Sequence, residues 1–423
     1  MAYERRIVDD ELDELFPEIA AIALDGPKGV GKTATASKRA IDSVYLDDSA
    51  QKTAVAADPR GILERPRPLL IDEWQRVPEV WDVVRREADR NPVGGQFLLT
   101  GSATPNHEAT AHSGAGRVLR LRMRPLSLAE RGVSDGTVSL AAMVRGKQPE
   151  LRGTTAFGLS DYVREITASG FPGLRSLGSR ALRAQLDSYL RNIVDRDIPQ
   201  EGIEVRRPDV LLDWLRAYAA ATSTTASYSA ILDAATPGIS EKPNRETTTT
   251  YRDILTQLWV LDPVPAWTAS GSQLSRLQQS PKHHLADPAL AARLLRVDDR
   301  SLIDGAGRVI GSNEGTLLGA LFESLVTLCI RPAAQAAEAE VRHLRTRNGD
   351  HEVDLVLVGP DGRVTALEVK LASTVTDRDV RHLIWLREKL GDRLADAAVI
   401  STGPMTYRRS DGIGVIPLAL LAP

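Results

Sequence analysis

The sequence predicts an α/β protein in three parts: a parallel sheet covered by helices, a helical middle and a second, smaller α/β domain. Three observations predict this. Short apolar runs alternate with helical stretches over residues 1–135, the pattern turns helical over 136–295, and strands return over 296–423. In the first part, residues 21–25, 43–47, 69–72, 96–100 and 118–123 read as strands, because each is a short apolar run bounded by polar or turn residues. In the middle, 183–194 and 208–221 have helical spacing. There, a helix at 228–235, a turn at 237–243, a helix at 247–258 and a strand at 259–264 outline a winged helix-turn-helix. Its second helix would present Thr248, Thr249, Tyr251 and Arg252, and the alternative is a helical lid or packing module. The last part reads as a helix at 315–330, a strand pair at 352–358 and 364–370, a helix at 377–390 and a strand at 397–401.

The strongest chemical signal is Gly26-Pro27-Lys28-Gly29-Val30-Gly31-Lys32-Thr33-Ala34, directly after the apolar run Ile19-Ala-Ala-Ile-Ala-Leu24. It fits the phosphate-cradling pattern G-x-x-x-x-G-K-[ST]. The glycines let the backbone curl around phosphates, Lys32 reaches the β/γ oxygens and Thr33 ligates Mg2+. The pattern therefore predicts ATP and Mg2+ as cofactors. The apolar strand ending in Asp72-Glu73 supplies the second half, with Asp72 holding the Mg2+ shell and Glu73 polarising the attacking water. A third strand ends in Thr100-Gly-Ser102, so Thr100 or Ser102 can bond the γ-phosphate or the water, as sensor 1 of AAA+ ATPases requires. Arg117 opens the basic run Arg120, Arg122, Arg124 and reads as an arginine finger reaching a neighbouring subunit. In that case the active form is a homo-oligomer. The alternative is a solvated strand face, or pairing with the acidic helix after Glu79.

A second constellation lies near the C-terminus. Glu352 and Asp354 are two apart and share a strand face, a Gly359-Pro-Asp-Gly362 turn reverses the chain, and Glu368-x-Lys370 follows on the partner strand. This is the PD-(D/E)XK arrangement. Asp354 and Glu368, with Glu323 from the preceding helix, would bind Mg2+ or Mn2+, and Lys370 would position or activate water. Two carboxylates about 5 Å apart repel by roughly 3 kcal/mol at an effective dielectric near 20, so converging acids need a cation. The alternative is a set of edge-strand charges satisfied by Lys370 and Arg342.

Composition sets the frame for these sites. The 423-residue chain is too long for one core. A single cysteine, Cys329, excludes an intrachain disulfide and suits a reducing, cytoplasmic setting. Neither a signal-peptide core nor an uninterrupted apolar stretch of about 18 residues is evident, so no membrane is expected. A net charge of −3 argues against wholesale coating of nucleic acid, leaving local basic patches to carry any DNA binding.

Taken together, Leu69-Leu-Ile-Asp-Glu-Trp-Gln-Arg-Val-Pro-Glu-Val, Leu98-Leu-Thr-Gly-Ser-Ala, Gly116-Arg117 with Arg124-Pro-Leu-Ser-Leu-Ala-Glu130, Gln279-Ser-Pro-Lys-His-His-Leu-Ala-Asp287, Gly319 to Val326 and the Glu352, Asp354, Glu368 and Lys370 set resemble prokaryotic AAA+ ATPases that carry a C-terminal domain of unknown function. The resemblance covers most of residues 20–375. It implies a P-loop AAA+ core, a winged-helix-like middle and a PD-(D/E)XK-like end. Two residues depart from it: Asp25, where a small or hydroxyl residue is usual before the P-loop, and Trp74, where an aliphatic one is usual. The resulting expectation is an ATP-driven protein that processes duplex or branched DNA through a Mg2+-dependent nuclease-like domain. The alternatives are a remodeller whose nuclease fold only grips DNA, and a regulatory or toxin-like ATPase with a protein client.

Overall fold

The computed structural model describes residues 3–102, 116–134, 136–205, 207–236, 245–267, 280–304, 316–346 and 349–423. The chain divides into two compact units. One comprises Met1–Arg124, Phe171–Gly173 and Asp253–Val260; the other comprises Pro125–Gly170, Leu174–Arg252 and Leu261–Pro423.

In the first unit, β1 (Ala21–Asp25), β2 (Asp42–Tyr45), β3 (Leu69–Asp72), β4 (Phe97–Gly101) and β5 (Val118–Arg122) form a sheet in the order β2-β3-β4-β1-β5, with every pairing parallel. These are the five strands the alternation predicts. Every residue of β1, β3 and β4 is buried, which is why these segments read as continuous apolar runs rather than as alternating ones. Helices α1 (Ile7–Leu15), α2 (Lys32–Ser37), α3 (Ser49–Ala57) and α4 (Glu79–Arg90) belong to the same unit. Helix α4 buries Val80, Trp81, Val84, Glu87 and Ala88, a helical stripe of positions three and four apart. Trp81 stacks on Trp74 with ring centroids 4.6 Å apart, inside the core built on β1, β3 and β4. The unusual Trp74 is thus a packing residue.

The chain then runs through β6 (Val138–Ser139) and the helices α5 (Leu140–Val144), α6 (Leu159–Thr167), α7 (Ser179–Asn192), α8 (Ile198–Gln200), α9 (Pro208–Ala220), α10 (Tyr228–Ala235), α11 (Arg245–Gln257), α12 (Pro288–Leu294) and α13 (Asp299–Ile303). The predicted helix pair around 228–258 is present as α10 and α11. Of its expected groove-reading residues, Thr249 is exposed and the others are engaged. Thr248 and Tyr251 lie one turn apart on a buried face, and Arg252 sits 5.1 Å over the Tyr228 ring. The expected strand at 259–264 is replaced by isolated antiparallel bridges, Leu261 to Leu285 and Val264 to Lys282. The expected turn at 237–243 lies outside the described residues.

The last stretch begins with α14 (Leu317–Ala336), capped by the Thr316 hydroxyl accepting from the Gly319 amide at 3.0 Å. Among the described residues, α14 is the helix long and apolar enough to cross a bilayer, with mean hydropathy 1.5, and 67% of its apolar window is buried in the fold. After it come β7 (Glu340–Arg345), β8 (Glu352–Val358), β9 (Val364–Val369), α15 (Asp377–Leu390), β10 (Leu394–Ser401), β11 (Tyr407–Arg408), β12 (Gly414–Pro417) and β13 (Leu421–Ala422). Six of these strands form a mixed sheet in the order β11-β12-β10-β9-β8-β7, while β13 pairs with β6. The β7-β8-β9 meander is antiparallel and α15 carries the chain over to β10, parallel to β9. The Gly359 to Gly362 turn is as the sequence predicts, closed by the Gly362 amide on the Gly359 carbonyl at 2.9 Å with Gly362 at φ 77°. Strand β7 was not foreseen, because its polar residues mask any alternation.

The segment leading into α12, Ser280 to Leu285, is unusually polar for its burial: Lys282 and His283 are 0% exposed and His284 is 2% exposed. His343 of β7 is equally buried, and its Nε2 faces the Ser280 carbonyl at 3.1 Å. Burial penalises the imidazolium. It holds His283 below its ordinary value, His284 well below it and His343 down at about 4. At pH 5.5, therefore, His284 and His343 should remain neutral, whereas a solvated histidine with a pKa of about 6.5 is mostly charged. Histidine 15N NMR over pH 8 to 5 checks this; either ring titrating near 6.5 would contradict the buried assignment.

Candidate functional site

At the carboxyl end of the parallel sheet, the register fixes which side chains meet. Asp72 pairs with Thr100, and Leu24 pairs with Thr100 from the other side, so β1, β3 and β4 end at one level. The P-loop leaves β1 there. Gly26 is at φ 150°, and a Cβ on it would meet the Met123 carbonyl oxygen at 2.2 Å, so only glycine lets the loop pass β5. Gly29 and Gly31 are at φ 81° and 99°, and Gly31 caps α2 in the left-handed conformation. Pro27 and Val30 are buried, Lys28 is half-buried and Ala34 is exposed on α2.

Lys32 is buried, and its Nζ donates to the Gly26 and Pro27 carbonyls at 2.7 and 3.0 Å. Desolvation lowers Lys32 to about 8, opposed by the fields of Glu73, Asp25 and Asp72. The Thr33 hydroxyl donates to Asp72 Oδ1 at 2.9 Å, and the Thr100 hydroxyl donates to the same oxygen. This joins the two expected Mg2+ residues and the sensor position. Ser102 instead contacts Glu73 Oε2, at 3.1 Å.

Glu73 is in the left-handed region at φ 53°, a conformation costing roughly 1–3 kcal/mol for a non-glycine residue. Gln75 Nε2 donates to the same Glu73 oxygen at 2.6 Å. Gly101 makes room for this, since a Cβ there would meet Gln75 Oε1 at 2.7 Å. Sequence reasoning missed Gln75, whose signal was only its spacing from Glu73. It also missed Arg6, a buried side chain that donates to the Val30 carbonyl at 2.8 Å and to the Arg124 carbonyl at 2.6 Å, tying the P-loop to the chain leaving β5.

The basic run of β5 is not one exposed face. Arg120 pairs with Asp25 at 2.6 Å, which neutralises the carboxylate beside the phosphate loop. Arg122 lies 4.4 Å over the Trp259 ring, and Arg124 is buried. Arg117, 48% exposed, pairs with Asp89 of α4 at 2.6 Å. It precedes the residue paired with Ala21, at the amino end of the sheet.

The C-terminal acids do converge, but not on an open metal position. Glu323 comes from α14, Glu352 and Asp354 from β8, and Glu368 from β9. Among them sits the ammonium of Lys282, 2.8 Å from Asp354, 2.9 Å from Glu323 and 3.3 Å from Glu352. Asp354 spends its other oxygen on the Val369 amide at 2.8 Å, and Lys370 pairs with Glu368 at 2.9 Å. Among the described residues, no three His, Cys, Asp or Glu side chains are placed to hold a metal ion. Where Glu323, Asp354 and Glu368 were expected to share a divalent ion, Lys282, from a segment distant in sequence, places its ammonium among Glu323, Glu352 and Asp354. Arg342 of the edge strand β7 does not serve these acids, since it pairs with Glu340, whereas Arg345 of the same strand lies 3.8 Å from Glu352.

Protonation within the cluster follows from burial and this lysine. Burial pushes Glu323 up to about 8 against the opposing field of Lys282, and holds Glu368 well above the carboxylate range. Asp354 stays below its ordinary value: burial would raise it, but Lys282 and Lys370 together outweigh that. Lys282 is itself held charged by Asp354, Glu323 and Glu352 against full burial. A cavity of about 800 Å3 opens beside the cluster, lined also by Arg345, Arg378 and Arg381.

Residues 19–131 match the AAA domain family. Residues 159–301 and 318–421 match two domains of unknown function, DUF8612 and DUF4143. The N-terminal unit thus carries an AAA-type P-loop ATPase domain. Two relatives are uncharacterized proteins, Mb2031c of Mycobacterium bovis and Rv2008c of Mycobacterium tuberculosis. Each is 26% identical over 425 residues, covering 99% of this chain and 84% of the relative. Similar solved structures include Drosophila ORC bound to DNA, at 13% identity and TM-score 0.24, covering 65% of this chain and 90% of that one. Two variants of Thermotoga maritima RuvB, at 18% and 17% identity and TM-scores 0.26 and 0.24, cover 61% of this chain and 86% of theirs.

Because Arg6 anchors the P-loop from outside the motif, Arg6→Ala should lower stability by about 2–4 kcal/mol, as two buried carbonyls lose a charged donor. ATP affinity should fall roughly tenfold, or about 1.4 kcal/mol, as the loop loosens. Denaturant melts and titration with a fluorescent nucleotide measure both; unchanged values would remove Arg6 from the site.

Proposed function

We propose that this protein hydrolyses ATP in its AAA-type unit and uses the turnover to act on DNA gripped by its C-terminal domain. The observation that carries the ATPase reading is the single connected set of Thr33, Asp72 and Thr100, with Lys32 and Glu73 on either side of it. When ATP enters, Lys32 exchanges the Gly26 and Pro27 carbonyls for phosphate oxygens. Thr33 and Asp72 would hold Mg2+, which would supply neutralisation of the phosphate charge. Thr100 keeps the Asp72 carboxylate in one orientation, while Gln75 and Ser102 hold Glu73 to orient a water for attack.

The grip reading rests on the second cavity. Arg345, Lys370, Arg378 and Arg381 line it, and these suit phosphodiester oxygens. The order α14-β7-β8-β9-α15-β10 and the Glu368-x-Lys370 pair support a nuclease-like ancestry for this domain. Lys282 at the acids favours holding over Mg2+-dependent cutting. Labelled duplex, single-stranded and branched DNA, incubated with the full chain while ATP and Mg2+ are varied independently, should be retained but left intact. Cleaved DNA would restore the nuclease, and no retention or ATPase stimulation would point to a protein client.

Lys32→Ala should abolish ATP binding. Glu73→Gln should keep it and slow phosphate release by at least about 100-fold, the usual scale for losing a general base. Equal turnover in Glu73→Gln and wild type would remove Glu73 from the mechanism.

Arg117 fits a finger acting in trans: it is half exposed and lies at the amino end of its own sheet, away from its own P-loop. Turnover per chain should then rise with protein concentration, and Arg117→Ala should lose hydrolysis while retaining nucleotide affinity. Concentration-independent activity from a demonstrated monomer would rule out the trans finger and the oligomer it requires.

A further inference from the structure

We infer that Lys282 is the permanent cation of the C-terminal acid cluster, so that this domain works without a divalent ion and would take one only if that lysine were removed. The ammonium is within 3.3 Å of carboxylate oxygens of Glu323, Glu352 and Asp354. A divalent ion shared by these residues would need that same space. Asp354 has no oxygen to spare, because Oδ1 accepts from Lys282 and Oδ2 from the Val369 amide. Glu368 Oε2 is buried without a partner, but one oxygen does not make a coordination sphere for an ion that takes six ligands.

The lysine is also not on a withdrawable arm. Its own amide and carbonyl both pair with Val264, at 2.8 and 2.9 Å. The next residue, His283, donates its amide to the Thr224 carbonyl at 2.9 Å and accepts from the Ser223 amide at 2.8 Å; the Asp262 amide donates to the His284 carbonyl at 2.8 Å. Pulling Lys282 out would strand these groups, together with the buried carboxylate of Asp354 and its neighbours Glu323 and Glu352. The cation is therefore built in, and the cluster's charge is settled when the chain folds rather than when a metal arrives.

Mn2+ binding to the nucleotide-free full chain, read by electron paramagnetic resonance, separates this inference from the ATPase reading, since the two sites share no residue. Wild type and Asp354→Asn should give the same Mn2+ stoichiometry. Lys282→Met should gain one Mn2+ per chain, and Lys282→Met with Asp354→Asn should lose it again. A lower stoichiometry in Asp354→Asn than in wild type would overturn the inference, because it would place a metal beside the lysine. A folded Lys282→Met that gains no Mn2+ would overturn it as well. Should Lys282→Met fail to fold, the wild-type and Asp354→Asn comparison still decides.

Discussion

The level at which β1, β3 and β4 end governs the N-terminal site. Parallel pairing places Leu24, Asp72 and Thr100 side by side, and each chemical group follows from what the chain does one to several residues later. After β1 it curls through Gly26, Gly29 and Gly31 and delivers Lys32 and Thr33. After β3 it turns sharply at Glu73, and after β4 the small Gly101 lets Gln75 approach. A register slip of one residue would turn each of these side chains to the opposite face. The buried apolar strands that prevent such a slip are thus part of the catalytic apparatus.

The second cluster shows the same need for charge balance met in another way. Buried carboxylates a few ångströms apart are sustained only by a cation among them, and the structure supplies that cation from a residue 72 positions before Asp354. Around Lys282 burial raises Glu323, to about 8, and it also holds the neighbouring Glu368 well above the carboxylate range. Asp354, with two lysine neighbours and the Val369 amide, is the acid that stays ionised.

Most of the parallel sheet was legible because its strands are buried on both faces and the P-loop carries its own spacing. The convergence of Asp354 and Glu368 was legible too, since Glu352 and Asp354, and Glu368 and Lys370, lie two apart on strands joined by a short turn. What fills the space between them was not. Lys282 lies in a short polar segment with no periodicity, and its burial depends on Val264, Thr224 and Ser223, which no local pattern links to it. Gln75 and Arg6 escaped for a similar reason: each acts through one long-range bond to a group the motif had already named. On α11 the burial of Thr248 and Tyr251 was not legible, because polar threonines do not reveal which face of a helix is buried.

The two lysines in the two sites differ in what can displace them. Lys32 bonds two loop carbonyls, neutral acceptors, and charge-assisted bonds to an anion are roughly twice as strong. Burial also lowers its pKa, to about 8, and a neighbouring anion would raise it again. Lys282 already has anionic partners, and its backbone is fixed on both sides, so no incoming ligand offers it a better arrangement. One site is built to exchange its bonds and the other to keep them. The C-terminal cluster, with its fixed lysine, lies beside a cavity lined by Arg345, Arg378 and Arg381.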